Sequence, residues 1–137
     1  WKLSSGERLH SLAILRDAVW PPWTCILGWH VMGIWKPSYD ITDINACCRT
    51  SVPAQDGQHY IAVGDDDHAV ILYRFPAVSH AADRREYLGH ASFVTNVRFS
   101  PSNALVTVGG NDHTLQQWRL AEDLGRDMPQ RQALRQR

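Results

Sequence analysis

Two stretches of the chain, AVGDDDHAVILYRF at residues 62–75 and TVGGNDHTLQQWRL at residues 107–120, align with each other without a gap. Each holds an apolar run, a turn rich in Gly, Asp and Asn, and a second run that ends near an aromatic residue, which is the pattern of a β-hairpin. Asp67 and Asp112 occupy the same place in the two stretches and are 45 residues apart. A four-stranded propeller blade repeats at ~40 to 45 residues, so the spacing indicates two blades.

A second match lies upstream of each stretch. INACCRTS at residues 44–51 shares its apolar positions with VTNVRFSP at residues 94–101, and the segment VPAQD supplies the extra loop residues of the earlier unit. Alternation of apolar and polar residues then predicts three strands in each unit, with a fourth contributed by the sequence that follows or precedes it, and a loop between the units that leads into a strand near Tyr87. The fold class is all-β, and the predicted strands are Trp23–Trp29, Ile44–Arg49, Tyr60–Val63, Val70–Phe75, Val94–Ser100, Leu105–Gly109 and Leu115–Leu120.

These matches divide the chain into four parts. We expect the end of a preceding blade and a linker at residues 1–22, an atypical blade at 23–80 and a regular blade at 81–120. Residues 121–137 form a polar tail that is expected to fray, with a helical turn after Pro129. A propeller needs ~4 to 8 blades, and the first residue is Trp1 rather than Met, so the chain reads as a fragment of a larger, tandem propeller.

Composition narrows the possible partners. The 137 residues are 44% hydrophobic, and 14 basic residues balance 14 acidic ones, so no overall charge draws the chain to nucleic acid or to a membrane surface. No stretch approaches the ~18 apolar residues of a membrane span. The three cysteines form no Cys-x-x-Cys pair, and their odd number predicts a reducing, intracellular compartment.

The motifs around the second hairpin resemble those of a WD40 repeat. YLGH at residues 87–90 contains the opening Gly-His pair, and QQWRL contains the closing tryptophan, although Arg119 stands where an aspartate often does. The order of four segments is similar, more specifically, to the C-terminal end of the echinoderm microtubule-associated protein-like family. They are WTCILGWHVMGIW, DITDINACCRTS, AVGDDDHAVILYRFP and GHASFVTNVRFSPSNALVTVGGNDHTLQQW.

This resemblance implies a non-enzymatic function. In that family two fused propellers form a rigid unit that engages tubulin, while an N-terminal coiled-coil and basic region drives oligomerisation and much of the lattice binding. The chain is therefore expected to bind tubulin or microtubules, to help organise the microtubule cytoskeleton in the cytoplasm, and to need no cofactor. The alternative is a general WD40 scaffold that binds other proteins and has no affinity for tubulin.

The resemblance also implies a buried hydrogen-bonded set in the regular blade. Its members are His90, Thr107, Asp112 and Trp118, which combine an imidazole, a hydroxyl, a carboxylate and an indole donor. In the atypical blade, the repeat turn retains only Asp67, while Ala62 and Tyr73 stand in the threonine and tryptophan positions. That blade is expected to depend on apolar packing.

Several residues also resemble parts of metal-binding or catalytic sites. Asp65, Asp66 and Asp67 suggest a calcium loop, but neither its glycine nor its closing glutamate follows. The histidines and cysteines lack the spacing of zinc ligands, so no metal site is expected. His90 and Asp112 with a nearby hydroxyl mimic a hydrolase triad, but no nucleophile motif accompanies them.

Two further sets of side chains are assigned to surface or core. Cys47 and Cys48 point to opposite faces of one strand, which predicts one core thiol and one half-exposed thiol. The arginines of two segments could meet an acidic surface such as that of tubulin, but a solvated loop and a frayed end are preferred. They are Arg84, Arg85, Arg126, Arg131, Arg135 and Arg137.

Overall fold

The structure is a computed structural model that describes residues 1–11, 13, 20, 22–35 and 43–120. Its strands form two antiparallel sheets, which confirms the all-β class. The first sheet has the order β1-β2-β3-β4 and the second has the order β5-β6-β7. The strands are β1 (Ile44–Arg49), β2 (His59–Asp65), β3 (Ala69–Phe75), β4 (Arg84–Leu88), β5 (Val94–Phe99), β6 (Ala104–Gly109) and β7 (Leu115–Arg119).

The two sheets share a local irregularity. The register of β1 on β2 shifts between Ile44 and Ala46, and the register of β5 on β6 shifts between Val94 and Asn96. Each shift leaves an extra residue on the first strand, which bends that strand as a β-bulge does. The two sheets therefore repeat one structural unit, including the position of its β-bulge.

The strand register corrects the gapless alignment by one residue. Cys47 pairs with Val63 in the first sheet, and Val97 pairs with Thr107 in the second. Val63, and not Ala62, thus occupies the place of Thr107. The later β6–β7 turn holds one more residue than the β2–β3 turn, and this insertion restores the match of Tyr73 with Trp118.

Both faces of the first sheet are covered. One face packs with Trp23, Val31 and Ile34 from the N-terminal segment, and the other packs with Val94 and Val97 of the second sheet. Cys47 and Cys48 point into these two cores and are 0% and 1% exposed. The predicted half-exposed thiol is therefore wrong, because elements distant in sequence bury both sides of β1.

The segment Trp23–Trp29 is not a strand, contrary to the prediction. Its only backbone hydrogen bond to the first sheet within the described residues runs from Arg49 N–H to the Trp23 carbonyl, at 3.0 Å. The indoles of Trp23 and Trp35 donate to the carbonyls of Cys25 and Ile26, so side chains take the acceptors that a sheet partner would use. A 3-10 helix, Trp29–Ile34, follows directly and presents Val31 and Ile34 to the core.

The outer strand of the first sheet comes from the start of the predicted regular blade. Arg84–Leu88 pairs with β3, from Ala69 opposite Leu88 to Tyr73 opposite Arg84. The sheet therefore continues past residue 80, where the sequence divides the two units. Arg84 and Arg85 are exposed residues of this strand and do not lie in a loop. The predicted tail, with Arg126, Arg131, Arg135 and Arg137, lies outside the described residues.

Candidate functional site: the polar network of the second sheet

The structure brings His90, Thr107, Asp112 and Trp118 together in one hydrogen-bonded network. Thr107 lies at the centre of β6, Trp118 lies on β7, and His90 and Asp112 lie in the two loops at one end of the sheet. The Trp118 indole N–H donates to Thr107 Oγ1 at 2.8 Å, and His90 Nε2 lies 2.8 Å from the same oxygen. The β6–β7 register sets the indole beside Thr107 because Leu105 pairs with Trp118.

The Asp112 carboxylate holds the other side of the imidazole. Asp112 Oδ2 lies 3.2 Å from His90 Nδ1 and accepts the Ala91 N–H at 2.9 Å, while Oδ1 accepts the Thr114 N–H at 3.1 Å. Gly109 makes this arrangement possible, since a Cβ at Gly109 would clash with the Asp112 carboxylate. The absence of a side chain at Gly109 thus allows the Asp112 carboxylate to lie close to the backbone.

The hydrogen bonds fix the charge of Asp112. Desolvation of the carboxylate would raise its pKa, but hydrogen bonds from Thr114, Ala91 and His90 outweigh it and lower the pKa to about 2. Asp112 is therefore ionised at neutral pH and can only accept. The hydrogen bond between His90 and Asp112 is therefore donated by His90 Nδ1–H, and in the tautomer with its proton at Nδ1 the Nε2 atom accepts from the Thr107 hydroxyl.

The network is closed to substrates in this geometry. Thr107 is 0% exposed, and its oxygen is engaged by both Trp118 and His90. A nucleophile needs a free lone pair directed at a substrate, and this hydroxyl has none that reaches solvent. The network instead joins two loops and two strands of one sheet, which suits a structural function.

Asp67 lies in the β2–β3 turn, but its side chain is exposed and the buried carboxylate of that turn is Asp65. Asp65 Oδ1 accepts the N–H groups of Asp67 and Ala69 at 3.1 and 3.2 Å. Sequence reasoning missed Asp65 because the gapless alignment sets it opposite Gly110. The signal that could have identified it is the run of three aspartates, since an Asx turn prefers the first of them.

The first sheet replaces the rest of the network with apolar contacts. Val63 stands in the place of Thr107, and the Tyr73 hydroxyl donates to the Ile34 carbonyl at 3.3 Å. Val63 and Tyr73 both belong to the core formed with the N-terminal segment. Sequence reasoning also missed Thr114, whose hydroxyl lies 3.0 Å from His90 Nδ1 and which has no counterpart in the first sheet.

The candidate metal ligands are dispersed among the described residues. Within the described ranges, no three His, Cys, Asp or Glu side chains group together as metal ligands would. Asp66 Oδ1, a candidate calcium ligand by sequence, accepts a hydrogen bond from Asn45 at 2.8 Å. In the same part of the chain no helix has the length and apolarity that a bilayer crossing requires.

Comparison with known proteins identifies the family. Residues 1–120 match the family described as echinoderm microtubule-associated protein second beta-propeller. The chain is 38% identical over 122 residues to the human echinoderm microtubule-associated protein-like 3, an alignment that covers 88% of the chain and 13% of that protein. It is 37% identical over 121 residues to the rat echinoderm microtubule-associated protein-like 1, with 88% and 14% covered.

A third relative, the mouse echinoderm microtubule-associated protein-like 4, is 36% identical over 126 residues, with 90% of the chain and 12% of that protein covered. The chain thus spans between 12% and 14% of the length of these relatives. The match extends over both sheets and over the N-terminal segment that covers the first of them. The chain therefore belongs to the family of the second β-propeller of echinoderm microtubule-associated proteins.

Proposed function

We propose that this chain is a non-enzymatic propeller segment that binds tubulin or microtubules and contributes to the organisation of the microtubule cytoskeleton. The observation that carries the proposal is the family match over residues 1–120, because the relatives are named as microtubule-associated proteins. A cytoplasmic, cytoskeletal location follows from the same proposal.

The geometry supports a binding function more than a catalytic one. The network that mimics a hydrolase triad is enclosed, and its hydroxyl is consumed by two hydrogen bonds. Stacked antiparallel sheets give a rigid support whose strand ends and loops are available for contacts with a partner.

Co-sedimentation with assembled microtubules tests the proposal. The chain is mixed with stabilised microtubules at about 50 and about 200 mM salt, because electrostatic contacts weaken as the screening length falls. We expect the chain to pellet with microtubules and to pellet less at the higher salt. A chain that is folded by circular dichroism and stays in the supernatant at both salts would overturn the proposal.

A general WD40 scaffold without affinity for tubulin is the second candidate. It is favoured by the fold alone, since propellers carry many unrelated binding functions. The supernatant result above, together with capture of a defined non-tubulin protein by the folded chain, would support it.

A further inference from the structure

The two sheets carry charges of opposite sign at their two ends. β1, β3, β5 and β7 finish at one end, where β2, β4 and β6 begin. Each arginine in these strands is one of the two residues of its strand that lie nearest to that end. We call it the arginine end. The arginines are Arg49, Arg74, Arg84, Arg85, Arg98 and Arg119.

The opposite end carries carboxylates, and turn chemistry explains several of them. Asp65 and Asp112 accept backbone N–H groups in their turns, and Asp66 accepts from Asn45. Asp43 precedes β1, and Asp67 lies in the β2–β3 turn. Acidic residues are common in such turns because their side chains replace backbone acceptors.

Among the arginines, Arg98 donates from Nη1 to the Val97 carbonyl at 2.7 Å, a contact that does not neutralise its charge. All except Arg49 are exposed, and Arg49 lies over the Phe75 ring at 5.2 Å with no hydrogen-bond partner at Nε. Asp56 and Asp83 lie beside these strand ends within the described ranges, and Glu86 follows Arg84 and Arg85 on β4. None of the arginines other than Arg85 forms a salt bridge with a described carboxylate. With Arg85 set aside, five guanidinium groups thus lie near three carboxylates of the described residues, so positive charge is in excess among them.

The size and chemistry of the arginine end define what it can bind. A guanidinium presents a fork of donors that pairs with a carboxylate through two hydrogen bonds. Neighbouring strands are ~4.8 Å apart, so the four strands of the first sheet span roughly 15 Å, the length of about five extended residues at ~3.3 Å each. The carboxylates at the opposite end would repel a long polyanion and orient a short one.

We propose that the arginine end docks a carboxylate-rich peptide segment of a protein partner. This inference deepens the proposed function by naming the chemistry of the contact, and it rests on that function only for the identity of the partner. Nucleic acid, the other polyanion that arginine forks recognise, is an outcome of the test.

Fluorescence anisotropy with a labelled peptide of ten glutamates tests the proposal. We expect the chain to bind the peptide at about 50 mM salt and to lose most of the binding at about 200 mM. The triple variant Arg84→Glu, Arg98→Glu and Arg119→Glu should weaken binding at least tenfold, and Arg84→Glu alone should weaken it less. Replacing the same three residues with Lys keeps the charge but removes the forks, and should give an intermediate affinity.

Two controls separate the arginine end from net charge. Asp43→Lys changes the charge at the opposite end and should leave the affinity within about twofold, since the two ends lie farther apart than ~8 to 10 Å of screening length. A labelled decathymidine should bind more weakly than the glutamate peptide. Absence of peptide binding, an effect of Asp43→Lys as large as that of Arg84→Glu, or equal binding of decathymidine would each overturn the proposal.

The peptide assay is independent of microtubules, so the two proposals can fail separately. A chain that binds the peptide but does not pellet with microtubules retains the arginine-end inference and refutes the proposed function. A chain that pellets but ignores the peptide refutes the arginine-end inference alone. Near-ultraviolet circular dichroism of each variant confirms that the fold is retained before binding is compared.

Discussion

Thr107 links both halves of the polar network, since its single hydroxyl bonds to Trp118 and to His90. An unexposed hydroxyl with two partners cannot be lost without leaving both partners unsatisfied. Asp112 holds the far side of the imidazole with a pKa of about 2. At the scale of single residues, the second sheet is therefore fixed by polar contacts, whereas Val63 and Tyr73 fix the first sheet by packing.

Thr107→Val keeps the shape of the side chain and removes the hydroxyl. We expect the free energy of unfolding to fall by about 1 to 3 kcal/mol, the cost of buried polar groups left without partners. Urea denaturation followed by tryptophan fluorescence measures the change. Thr95→Val is the matched control, because the Thr95 hydroxyl bonds to the Val108 carbonyl at an exposed site and its loss should cost about 0.5 kcal/mol or less. Equal losses in the two variants would contradict the network's importance.

The depressed pKa of Asp112 makes its contribution to stability depend on pH. The folded pKa of about 2 lies below the ordinary aspartate pKa of 3.8, so the contribution is present above about pH 4 and is lost as the pH falls towards 2. Asp112→Asn should therefore destabilise the chain at pH 6, and its difference from the unmodified chain should shrink at pH 2.5. Urea midpoints at the two pH values test this. A difference that stays constant with pH would show that the charge of Asp112 is irrelevant.

At the scale of elements, hydrophobic periodicity predicted the strands of both sheets within a few residues, because alternation is a local property of the chain. It failed for Trp23–Trp29, where two indoles take carbonyl acceptors and where the segment covers a sheet instead of joining it. It could not show that Cys48 is buried, since the residues that cover it belong to β5. The insertion in the β6–β7 turn was likewise hidden, because the aligned glycines and aspartates favoured a gapless match.

Burial of β1 on both faces predicts the reactivity of the cysteines. Cys25 is exposed, while Cys47 and Cys48 are buried, and burial raises the pKa of Cys47 to about 12. Ellman's reagent should therefore titrate one thiol in the native chain and three after denaturation in guanidinium chloride. Cys25→Ser should abolish the native reaction. A second native thiol that reacts as fast as Cys25 would mean that one face of β1 is open.

At the scale of the whole molecule, the core between the sheets makes them depend on each other. Val97 is 0% exposed and packs against the first sheet, whereas Val108 lies in the same sheet and is 37% exposed. The network around Thr107 lies within one sheet, whereas this core joins two, and Asn45 Nδ2 also donates to the Val94 carbonyl across the sheets at 3.1 Å. The family match agrees, since it covers both sheets as parts of one propeller.

Val97→Ala should lower the free energy of unfolding by about 2 kcal/mol, because it leaves a cavity between the sheets. Hydrogen exchange should show reduced protection in β2 as well as in β6, since both sheets contact the cavity. Val108→Ala serves as the control and should cost about 0.5 kcal/mol. Loss of protection in β6 alone would show that the sheets unfold independently.

The pairing of Arg84–Leu88 with β3 has a consequence for how such chains can grow. The stretch that recurs along the sequence is out of phase with the sheet, because its first strand completes the previous blade. In a tandem duplication of that stretch, the first strand of each new copy would complete the sheet of the copy before it, and the sheet of the last copy would lack its outer strand. Successive copies would therefore be joined by the strands that they share. Lengthening the chain by whole repeats therefore keeps one shared strand between each pair of neighbouring sheets. A repeat boundary placed at the edge of a sheet would not keep that shared strand.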